Sequence, residues 1–507
     1  MNITAQQLDK RTLHYLQQTA DYFSTQSLPA YLVGGSVRDL LLHELGNDWD
    51  IVVKDDAALL ARRLANKLGG FYAHMHEKAS RVVVKEDSHE IIFDIASMQG
   101  TTIEADLATR DFTLNAMAIP LAELLPALLQ ERSFSLIDPF AGQADLIARR
   151  LRAVSDSVFQ RDSLRLLRAV RIAMRYRLTI ASQTEQLMRR DAALLPSAAP
   201  ERIHDELYAI LAPAGATAQL RALDSYGIFT VLFPEFLPAR GLPQPPLHYW
   251  DVFEHSLETV AALERLASEL VLPSEELRRS PLNAGEQDDL VEIQTLLHEA
   301  EQQGLLRVDM IAAVPMKLAA LLHDIGKPAT YSVDNEGAIH FYHHPQAGIP
   351  LAQEIMRRLS ASTQDRRLVQ QVVAHHMRPG QLSAVPLTAR AIRRFFVDLG
   401  PAGINVLLIS LADHLAMRGP LPLAEAWTRH LATTRLMLTR YIRERASILP
   451  PRIVQADELI HHFKLQPGPL IGQLLEHIAE AQAEGEIQSK EDAFWLAEHF
   501  FHTEQKQ

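Results

Sequence analysis

The chain has 507 residues, of which 47% are hydrophobic and 22% charged, and its formal net charge is −12 at pH 7. This length suits roughly three or four domains with their own cores. The sequence contains no cysteine, which excludes disulfides, thiolate metal ligands and cysteine catalysis. It has no signal-like N-terminus and no run of roughly 18 apolar residues, so we expect a cytoplasmic protein without a membrane span.

Charge is unevenly distributed along the chain. Residues 146–202 hold 12 arginines, no lysine and five acids, whereas residues 261–310 hold 11 acids and four arginines. A basic belt within an acidic protein is compatible with RNA bound along one face. A solvated helix surface explains the same charges equally well.

The N-terminal part predicts a helix and then a glycine turn. Residues 1–27 follow an amphipathic helical pattern. The next stretch, YLVGGSVRD, has the order strand, turn and helix. Gly34 and Gly35 tolerate positive φ and a close ligand, while Ser36 and Arg38 offer a hydroxyl and a guanidinium at a helix N-terminus suited to phosphate.

The following strand carries Asp48 and Asp50, whose side chains leave the same face and could hold a divalent cation. Alone, a Gly-Gly turn is usually a turn and an Asp-x-Asp pair a solvated strand end. Together, about thirteen residues apart, they resemble the signature of the nucleotidyltransferase superfamily that includes DNA polymerase β. They are most similar to the bacterial tRNA nucleotidyltransferase and poly(A) polymerase family.

A helix over residues 57–68, ended by Gly69, and two strands over 81–85 and 90–95 are predicted next. The second strand carries Asp94. Polymerase-like sites place a third carboxylate on a neighbouring strand, where it orients or deprotonates the attacking hydroxyl. Asp94 suits that role, and a plain strand-end aspartate is the alternative.

The segment DLATRDFTLNAMA resembles the family motif Arg-Arg-Asp-Phe-Thr-x-Asn-Ala, with Thr109 in place of the first arginine. The resemblance implies that Arg110 neutralises a triphosphate, that Asp111 accepts a hydrogen bond from a ribose hydroxyl and that Asn115 holds the turn. A buried Arg-Asp pair that caps a helix would explain the same residues. Residues 136–146 also resemble the family, and their turn residues suggest a link between domains.

A helical pattern follows, on which Asp162, Arg165 and Arg168 are three residues apart and lie near one face. An amphipathic helix with internal ion pairs is one interpretation. The family's Glu-Asp-x-x-Arg motif implies another, in which a carboxylate beside a guanidinium accepts cytosine and adenine and rejects uracil and guanine. Arg161 stands where the family has Glu.

Histidines and aspartates recur after the proline-rich stretch 234–246. The candidate metal ligands are His255, His323, Asp324, His344, His375, His376 and Asp413. A lone helical histidine is usually a core residue, but this ordered set resembles the HD metal-dependent phosphohydrolases. The resemblance implies a transition metal (Mn, Ni, Fe or Zn), and two nearby metals could activate water on a phosphate. His376 fits similar sequences better than His375.

We therefore expect an α+β protein with a polymerase-β-like head built on a small mixed sheet. The expected domains are the head at 1–155, a helical neck for base recognition and RNA binding at 156–235, an HD domain at 247–440 and a helical tail at 441–507. An acidic insertion of one or two polar helices is expected at about 273–304. Residues 201–207 resemble the last family motif and should brace the neck.

The resemblance implies template-independent addition of CMP and AMP from CTP and ATP to the 3′ end of tRNA, with Mg²⁺ at the paired acids of the head. Three alternatives stay open: poly(A) or A-only addition, an HD phosphohydrolase with a regulatory head, and a non-enzymatic RNA-binding protein. CCA-adding relatives use a flexible segment to switch from CTP to ATP, and here only residues 95–109 are available for it. A loop this short predicts that one kind of nucleotide is added well and the other poorly.

Overall fold

The structure, a computed structural model, describes residues 8–504 except 27, 45, 78, 87–88, 131–133, 278–283 and 421–424. It contains two compact units. The first comprises residues 1–206 and 222–231, and the second comprises residues 207–221 and 232–507. The first unit is built on a mixed sheet and the second is almost entirely helical, so the α+β prediction is confirmed.

Six strands form the sheet of the first unit. They are β1 (Ala30–Val33), β2 (Asp48–Val53), β3 (Phe71–His76), β4 (Ala79–Glu86), β5 (His89–Ser97) and β6 (Ala118–Pro120). Their order is β3-β4-β5-β2-β1-β6, and β2 and β5 are parallel while the other neighbours are antiparallel. Leu32, Ile51 and Phe93 are fully buried in it. A short parallel pair, β7 (Arg150–Leu151) and β8 (Thr179–Ile180), lies outside this sheet.

The helices of the first unit are α1 (Lys10–Thr25), α2 (Gly34–Leu42), α3 (Ala57–Leu68), α4 (Ile103–Leu107), α5 (Leu121–Gln130), α6 (Gly142–Ile147), α7 (Val158–Arg161), α8 (Arg165–Arg175) and α9 (Ser182–Asp191). The predicted bounds of α3 are confirmed: Asp56 accepts from the first amides, and Gly69, at φ 67°, ends the helix. The predicted N-terminal helix is α1, and residues 1–7 and 27 of that prediction lie outside the described residues.

The prediction of one continuous helix through Asp162 is wrong. Asp162 has the extended conformation, φ −154° and ψ 105°, between α7 and α8. Its Oδ1 accepts a hydrogen bond from the Leu164 amide at 3.1 Å. An aspartate competes with helical hydrogen bonding in this way, which explains the break. The three residues of the predicted motif therefore come from a connection and a helix.

Three helices contain residues that belong to both units. They are α10 (Pro200–Leu211), α11 (Ala216–Ser225) and α12 (Ile228–Leu232). The second unit continues with α13 (Val252–Val271), α14 (Ser274–Leu277), α15 (Ala284–Gln302), α16 (Val314–Leu322), α17 (His344–Arg358), α18 (Thr363–His375), α19 (Met377–Ser383), α20 (Ala389–Leu399), α21 (Ala402–Met417), α22 (Glu425–Arg443), α23 (Arg445–Ile448), α24 (Ala456–Phe463), α25 (Pro469–Glu484) and α26 (Lys490–Glu504). A hairpin of β9 (Ser332–Val333) and β10 (Ile339–His340) precedes α17. Helices α13, α16, α18 and α21 pack on one another, and together with α17 and the segments that follow α16 and α18 they carry the candidate metal ligands.

The acidic segment forms α14 and α15, with residues 278–283 outside the described part. Helix α15 packs on α22 and buries Leu290, Ile293 and Leu297, so it is part of the core of the second unit. The tail has a separate apolar cluster that includes Leu459 and Leu474. Among the described residues no single helix has the length and hydropathy of a membrane span, and one bent pair, α20 with α21, meets those criteria together.

Candidate active site and metal centre

The glycine turn lies directly against the charged residues of the first unit. Gly34 begins α2 at φ 68°, a conformation that favours glycine. A Cβ at this position would lie 2.8 Å from Nη1 of Arg110 and 3.2 Å from Oδ2 of Asp50. Gly34 therefore lets the backbone approach a carboxylate and a guanidinium at the same point.

Ser36 ties α2 to the strand that carries the paired acids. Its Oγ accepts a hydrogen bond from the Asp50 amide at 2.7 Å and donates to the carbonyl of Asp48 at 3.2 Å. The side chain is 7% exposed. These two bonds hold the Asp-x-Asp backbone in place relative to the turn.

Three carboxylates approach one another across β2 and β5. Asp48 and Asp50 lie on one face of β2, and Asp94 is directly opposite Asp50 in the parallel register. Burial, followed by the nearby Asp94 and Asp48, raises the pKa of Asp50, although Arg110 and Arg38 oppose the shift. A divalent cation would favour the ionised forms, and carboxylate oxygens are ligands that Mg²⁺ prefers. The donor set therefore fits a cation at this position.

Asp94 is held by an arginine that the sequence analysis did not single out. Both oxygens of Asp94 accept hydrogen bonds from Arg81, from Nε and Nη2, each at 2.8 Å. The two residues face each other across the antiparallel pair β4 and β5. Because β4 and β5 are consecutive and antiparallel, pairing of neighbouring strands is the signal in the sequence that could have found Arg81.

A buried hydrogen-bond network joins the glycine-turn helix to the helix α8. Arg38 donates to Asn115 at 2.6 Å, Asn115 donates to Asp111 at 3.0 Å, and Arg168 binds Asp111 at 2.8 and 3.0 Å. Burial favours the neutral acid, but Arg168 and Asn115 keep the pKa of Asp111 below its usual value. Arg38 also donates to the hydroxyl of Tyr176, at 2.6 Å. The side chains of Arg38, Asp111, Asn115 and Arg168 therefore all have hydrogen-bond partners within the protein.

The bracing that was expected from residues 201–207 comes from Glu206. Its carboxylate accepts from Arg171 at 2.6 and 3.2 Å, and it lies 3.7 Å from Arg168. These pairs connect α10 to α8 within the first unit. Glu206 therefore helps to hold Arg168 against Asp111.

Arg110 and Arg165 are positioned by the segment that precedes the Arg-Asp-Phe-Thr residues. Arg110 donates to Asp106, which is 3% exposed, at 3.1 and 3.3 Å. Arg165 donates to the carbonyls of Thr109 at 2.9 Å and Arg110 at 3.3 Å. Burial lowers the pKa of Arg165 against the opposing effects of Asp111 and Asp162.

Asp162 is held on both sides. Its second oxygen, Oδ2, accepts a hydrogen bond from Arg202 at 3.0 Å. Arg202 was not singled out as a site residue, although it belongs to the Glu-Arg pair that opens the last family motif. It carries a positive charge to the same cleft.

These residues surround a cleft of about 420 Å³ in the first unit. The predicted site residues that line it are Gly34, Gly35, Asp50, Asp94, Arg110, Asp111, Asn115, Asp162, Arg165 and Arg168. Arg202 and Met75 are additional lining residues. Ser36, Arg38 and Asp48 were predicted too and lie beside this lining. The cleft thus combines carboxylates with several guanidinium groups, as metal-assisted chemistry on a polyphosphate requires.

A second cluster of ligand-type residues lies inside the second unit. Two groups of three can each present ligand atoms within 4.8 Å of one another: His255, His323 and Asp413, and Asp324, His344 and His376. His255 lies 2.9 Å from Asp413, and Asp324 lies 3.1 Å from His323 and 3.2 Å from His344. Helices α13, α17 and α21 contribute to this cluster together with the chain segments that follow α16 and α18.

The hydrogen bonds of the histidines suit metal binding through Nε2. The Nδ1 atoms of His323, His344 and His376 lie 2.7, 2.9 and 3.0 Å from backbone carbonyls, which leaves each Nε2 as a potential ligand. Nε2 of His344 and Nε2 of His376 are only 3.2 Å apart. Nε2 of His255 faces an Asp413 oxygen at 2.9 Å, and Nε2 of His323 faces an Asp324 oxygen at 3.1 Å. Nitrogen atoms in this arrangement fit a shared cation.

The charge of the cluster also favours a cation. Burial disfavours an imidazolium, but Asp324 and Asp413 raise the pKa of His323 to about 10. Imidazole and carboxylate ligands together suit a transition metal. Lys327, which the sequence analysis did not include, places Nζ 2.5 Å from Asp324 and donates to Gln244.

The structure separates the two adjacent histidines after α18. His376 is fully buried and belongs to the cluster, whereas His375 is half-buried and lies outside both groups. His248, also missed, has its ring 5.5 Å from that of His255, and burial and Lys327 lower its pKa to about 4.

Three family models match the chain. They are the poly(A) polymerase head domain at residues 30–152, the probable RNA and SrmB-binding site of polymerase A at residues 177–240, and the HD domain at residues 310–418. The A-adding tRNA nucleotidyltransferase of Deinococcus radiodurans is 32% identical over 472 residues, which cover 92% of this chain and 94% of the relative. The CC-adding tRNA nucleotidyltransferase of Geobacter sulfurreducens is 31% identical over 466 residues, with coverages of 92% and 90%.

A solved structure shows the same fold. The apo form of a CCA-adding enzyme aligns with a TM-score of 0.61 at 20% sequence identity. The alignment covers 96% of this chain and 94% of that chain. The polymerase-β-like head and the helical remainder that the sequence predicts are therefore both found in a known architecture.

Proposed function

We propose, since this chain belongs to the tRNA nucleotidyltransferase family, that it adds nucleotides from CTP and ATP to the 3′ end of tRNA without a template. The observation that carries the proposal is the cleft of the first unit. There Asp50 and Asp94 lie side by side, with Arg110, Arg165 and Arg168 lining the same space. Acids and guanidinium groups in one cleft suit transfer from a nucleoside triphosphate.

Asp48 and Asp50 would hold Mg²⁺ in this cleft. The cation would supply charge neutralisation at the triphosphate and a lower pKa for the attacking 3′-hydroxyl. Arg110 neutralises the triphosphate from the side of the glycine turn. Asp94 orients the RNA hydroxyl or accepts its proton. Arg81 holds the Asp94 carboxylate in position through two hydrogen bonds. Arg38, which binds Asn115 and Tyr176, supports this site through the buried network.

The incoming base is selected by Asp162 and Arg165. A fixed carboxylate accepts the exocyclic amine of cytosine or adenine, and a guanidinium donates to the neighbouring ring nitrogen. The backbone of Leu164 and the side chain of Arg202 hold Asp162, while two carbonyls hold Arg165. Positioned groups discriminate better than mobile ones, because less ordering is needed on binding.

We also propose that this enzyme adds one kind of nucleotide well and the other poorly. The segment at 95–109 contains α4, whose Ile103 and Leu107 are buried in an apolar cluster. Asp106 accepts from the Gln99 amide at 2.8 Å and binds Arg110. A segment anchored at both ends has little slack for a change of shape between CTP and ATP.

Purified protein incubated with each labelled nucleoside triphosphate tests these proposals. Three tRNA substrates are needed, lacking one, two or all three of the 3′-terminal CCA nucleotides. Incorporation of CMP or AMP, with UMP and GMP excluded, is expected. Absence of incorporation with all three substrates would refute the function, and equal CTP and ATP rates would refute the preference for one nucleotide.

A second activity is favoured by the buried cluster of the second unit. We propose that its two groups of ligands hold Mn, Ni, Fe or Zn and hydrolyse a phosphate ester. Elemental analysis of the purified chain and assays with model phosphomonoesters and cyclic phosphodiesters test this. A chain purified without transition metal, and without phosphatase activity when metal is added, would exclude it.

The cytoplasmic location stays a prediction from the sequence.

A further inference from the structure

A further concave surface lies in the second unit, away from its metal cluster. Helices α17 and α18 enclose a groove of about 640 Å³ on their outer face, larger than the cleft of the head. Helix α17 contributes Gln353, Glu354 and Arg357, and helix α18 contributes Thr363, Arg366 and Arg367. We call this surface the α17–α18 groove. Arg357 follows Gln353 by four residues and Glu354 by three, and Thr363 precedes Arg366 by three and Arg367 by four, so the residues of each helix share one face.

The groove lies towards the turn that joins the two helices. His344 begins α17 and His376 follows α18, yet their Nε2 atoms are 3.2 Å apart, so the helices are antiparallel and the metal cluster is at the opposite end of the pair. The inner faces of both helices are apolar, with Ile355 and Val369 fully buried. The outward arginines are therefore not needed for packing.

The charges in the groove are not balanced. Glu354 is paired with Arg357, at 2.7 and 2.9 Å. Arg366 donates to the Thr363 hydroxyl at 3.1 Å, and the exposed side chain of Arg367 has no hydrogen bond or ion pair with any other residue that the structure describes. Two guanidinium charges are left for a ligand, because the only carboxylate in the lining already has a partner.

We propose that the α17–α18 groove binds the phosphate backbone of the tRNA that the first unit extends, an inference that rests on the function proposed above. Guanidinium groups bind phosphate through two parallel hydrogen bonds, and amide and hydroxyl side chains such as Gln353 and Thr363 add neutral contacts. The lining spans two helices whose axes lie about 8–10 Å apart, which a row of phosphates can follow and a single small anion cannot. These contacts read no base, so the groove accepts tRNAs of any sequence.

The double variant Arg366→Gln/Arg367→Gln tests the groove. Its affinity for fluorescent tRNA lacking the 3′ end, measured by anisotropy at several salt concentrations, should fall about tenfold. The slope of log K against log salt should decrease by roughly 1–2, since up to two phosphate contacts are removed. KM for tRNA should rise while kcat stays near the wild-type value, because the chemistry is elsewhere.

Arg307→Gln is the matched control, since Arg307 is an exposed arginine of the same unit paired with Asp309. It should leave the affinity and the salt slope unchanged. Unchanged tRNA affinity and slope in the double variant, with wild-type transfer activity intact, would overturn the groove assignment alone and leave a protein partner as its occupant. A wild-type protein that binds tRNA through the groove but transfers no nucleotide would instead refute the proposed function.

Discussion

The two candidate metal sites neutralise their acids in different ways. In the head cleft, half-buried Asp50 faces arginines, and Asp94 is paired with Arg81. In the second unit, buried imidazole nitrogens and carboxylates face one another. The first arrangement leaves a cleft between the residues for a charged substrate, whereas the second brings the ligand atoms of each group of three within 4.8 Å of one another.

The two sites therefore have different requirements for binding a cation. A few carboxylates in an open cleft bind Mg²⁺ best when substrate phosphates complete its coordination. A closed set of histidines and acids holds a transition metal without any substrate. We therefore expect the head to bind its cation together with the nucleotide and the second unit to retain its metal through purification.

The largest expected effect comes from the paired acids of the head. Asp48→Ala or Asp50→Ala should lower nucleotide transfer by at least about a thousandfold, because metal stabilisation of the transition state contributes several kcal/mol. Single-turnover incorporation into tRNA measures the effect. Circular dichroism should show an intact fold, and the metal content of the second unit should not change.

The control is Glu90→Gln, which removes an exposed carboxylate from the same sheet. It should transfer at the wild-type rate. Near wild-type transfer by either aspartate variant would contradict the metal role of the pair.

The opposite test removes the buried metal cluster. His323→Ala combined with Asp324→Ala should eliminate bound transition metal and any phosphatase activity, since each group of three loses a ligand. Nucleotide addition should stay largely intact. Elemental analysis measures the metal, with His375→Ala as the control because His375 lies outside both groups. Equal metal content in the double variant and the wild type would show that the cluster is not the binding site.

A smaller effect is expected on nucleotide selection in the head. Asp162→Asn should relax discrimination against UTP and GTP by roughly ten- to a hundredfold, because a mispaired polar contact costs about 1–3 kcal/mol. Competition assays with pairs of triphosphates measure the change. Asp156→Asn, an exposed acid of the same region, should have no effect. Unchanged preference in Asp162→Asn would count against base recognition by this residue.

The smallest expected effect concerns the stability of the head and the repulsion among its carboxylates. Because the pKa of Asp50 is raised in the folded chain, its charge opposes folding at neutral pH when no divalent cation is present. Asp50→Asn should therefore increase the free energy of unfolding at pH 7 by about 1 kcal/mol. The gain should disappear as the pH falls below 3.8, the ordinary pKa of aspartate, because both states of the wild type are then protonated.

Urea unfolding in EDTA at several pH values measures this difference. Added Mg²⁺ should reduce it, since a cation offsets the repulsion among the three carboxylates in the wild type. A destabilised Asp50→Asn variant at pH 7 would mean that the Asp50 charge is already compensated within the protein.

Much of the fold followed from local patterns. The helix at 57–68 was predicted with its correct bounds, and Gly69 is the stop signal on which its end was placed. The strands that carry Asp50 and Asp94 and the helical tail were also predicted from local patterns. These features depend on residues close together in the chain.

The helix break at Asp162 was not predicted, because a side-chain hydrogen bond to the Leu164 amide competes with helical periodicity. The partners of the site residues were missed for a different reason. Arg81, Arg202 and Lys327 become relevant only when strand pairing or helix packing brings them to an acid. Periodicity indicates which face a residue occupies, not which distant residue it meets.

The side-chain chemistry of both candidate sites is already present in the sequence, because a metal or a phosphate requires particular side chains, and Asp48, Asp50 and the histidine series supply them. Which of these groups lie together depends on the folded chain. It selected His376 over its neighbour His375, since only one of two consecutive residues at the end of α18 can face the interior. It also brought Asp94 beside Asp50 through a parallel strand pair between segments about 40 residues apart, a contact set by packing of the whole sheet.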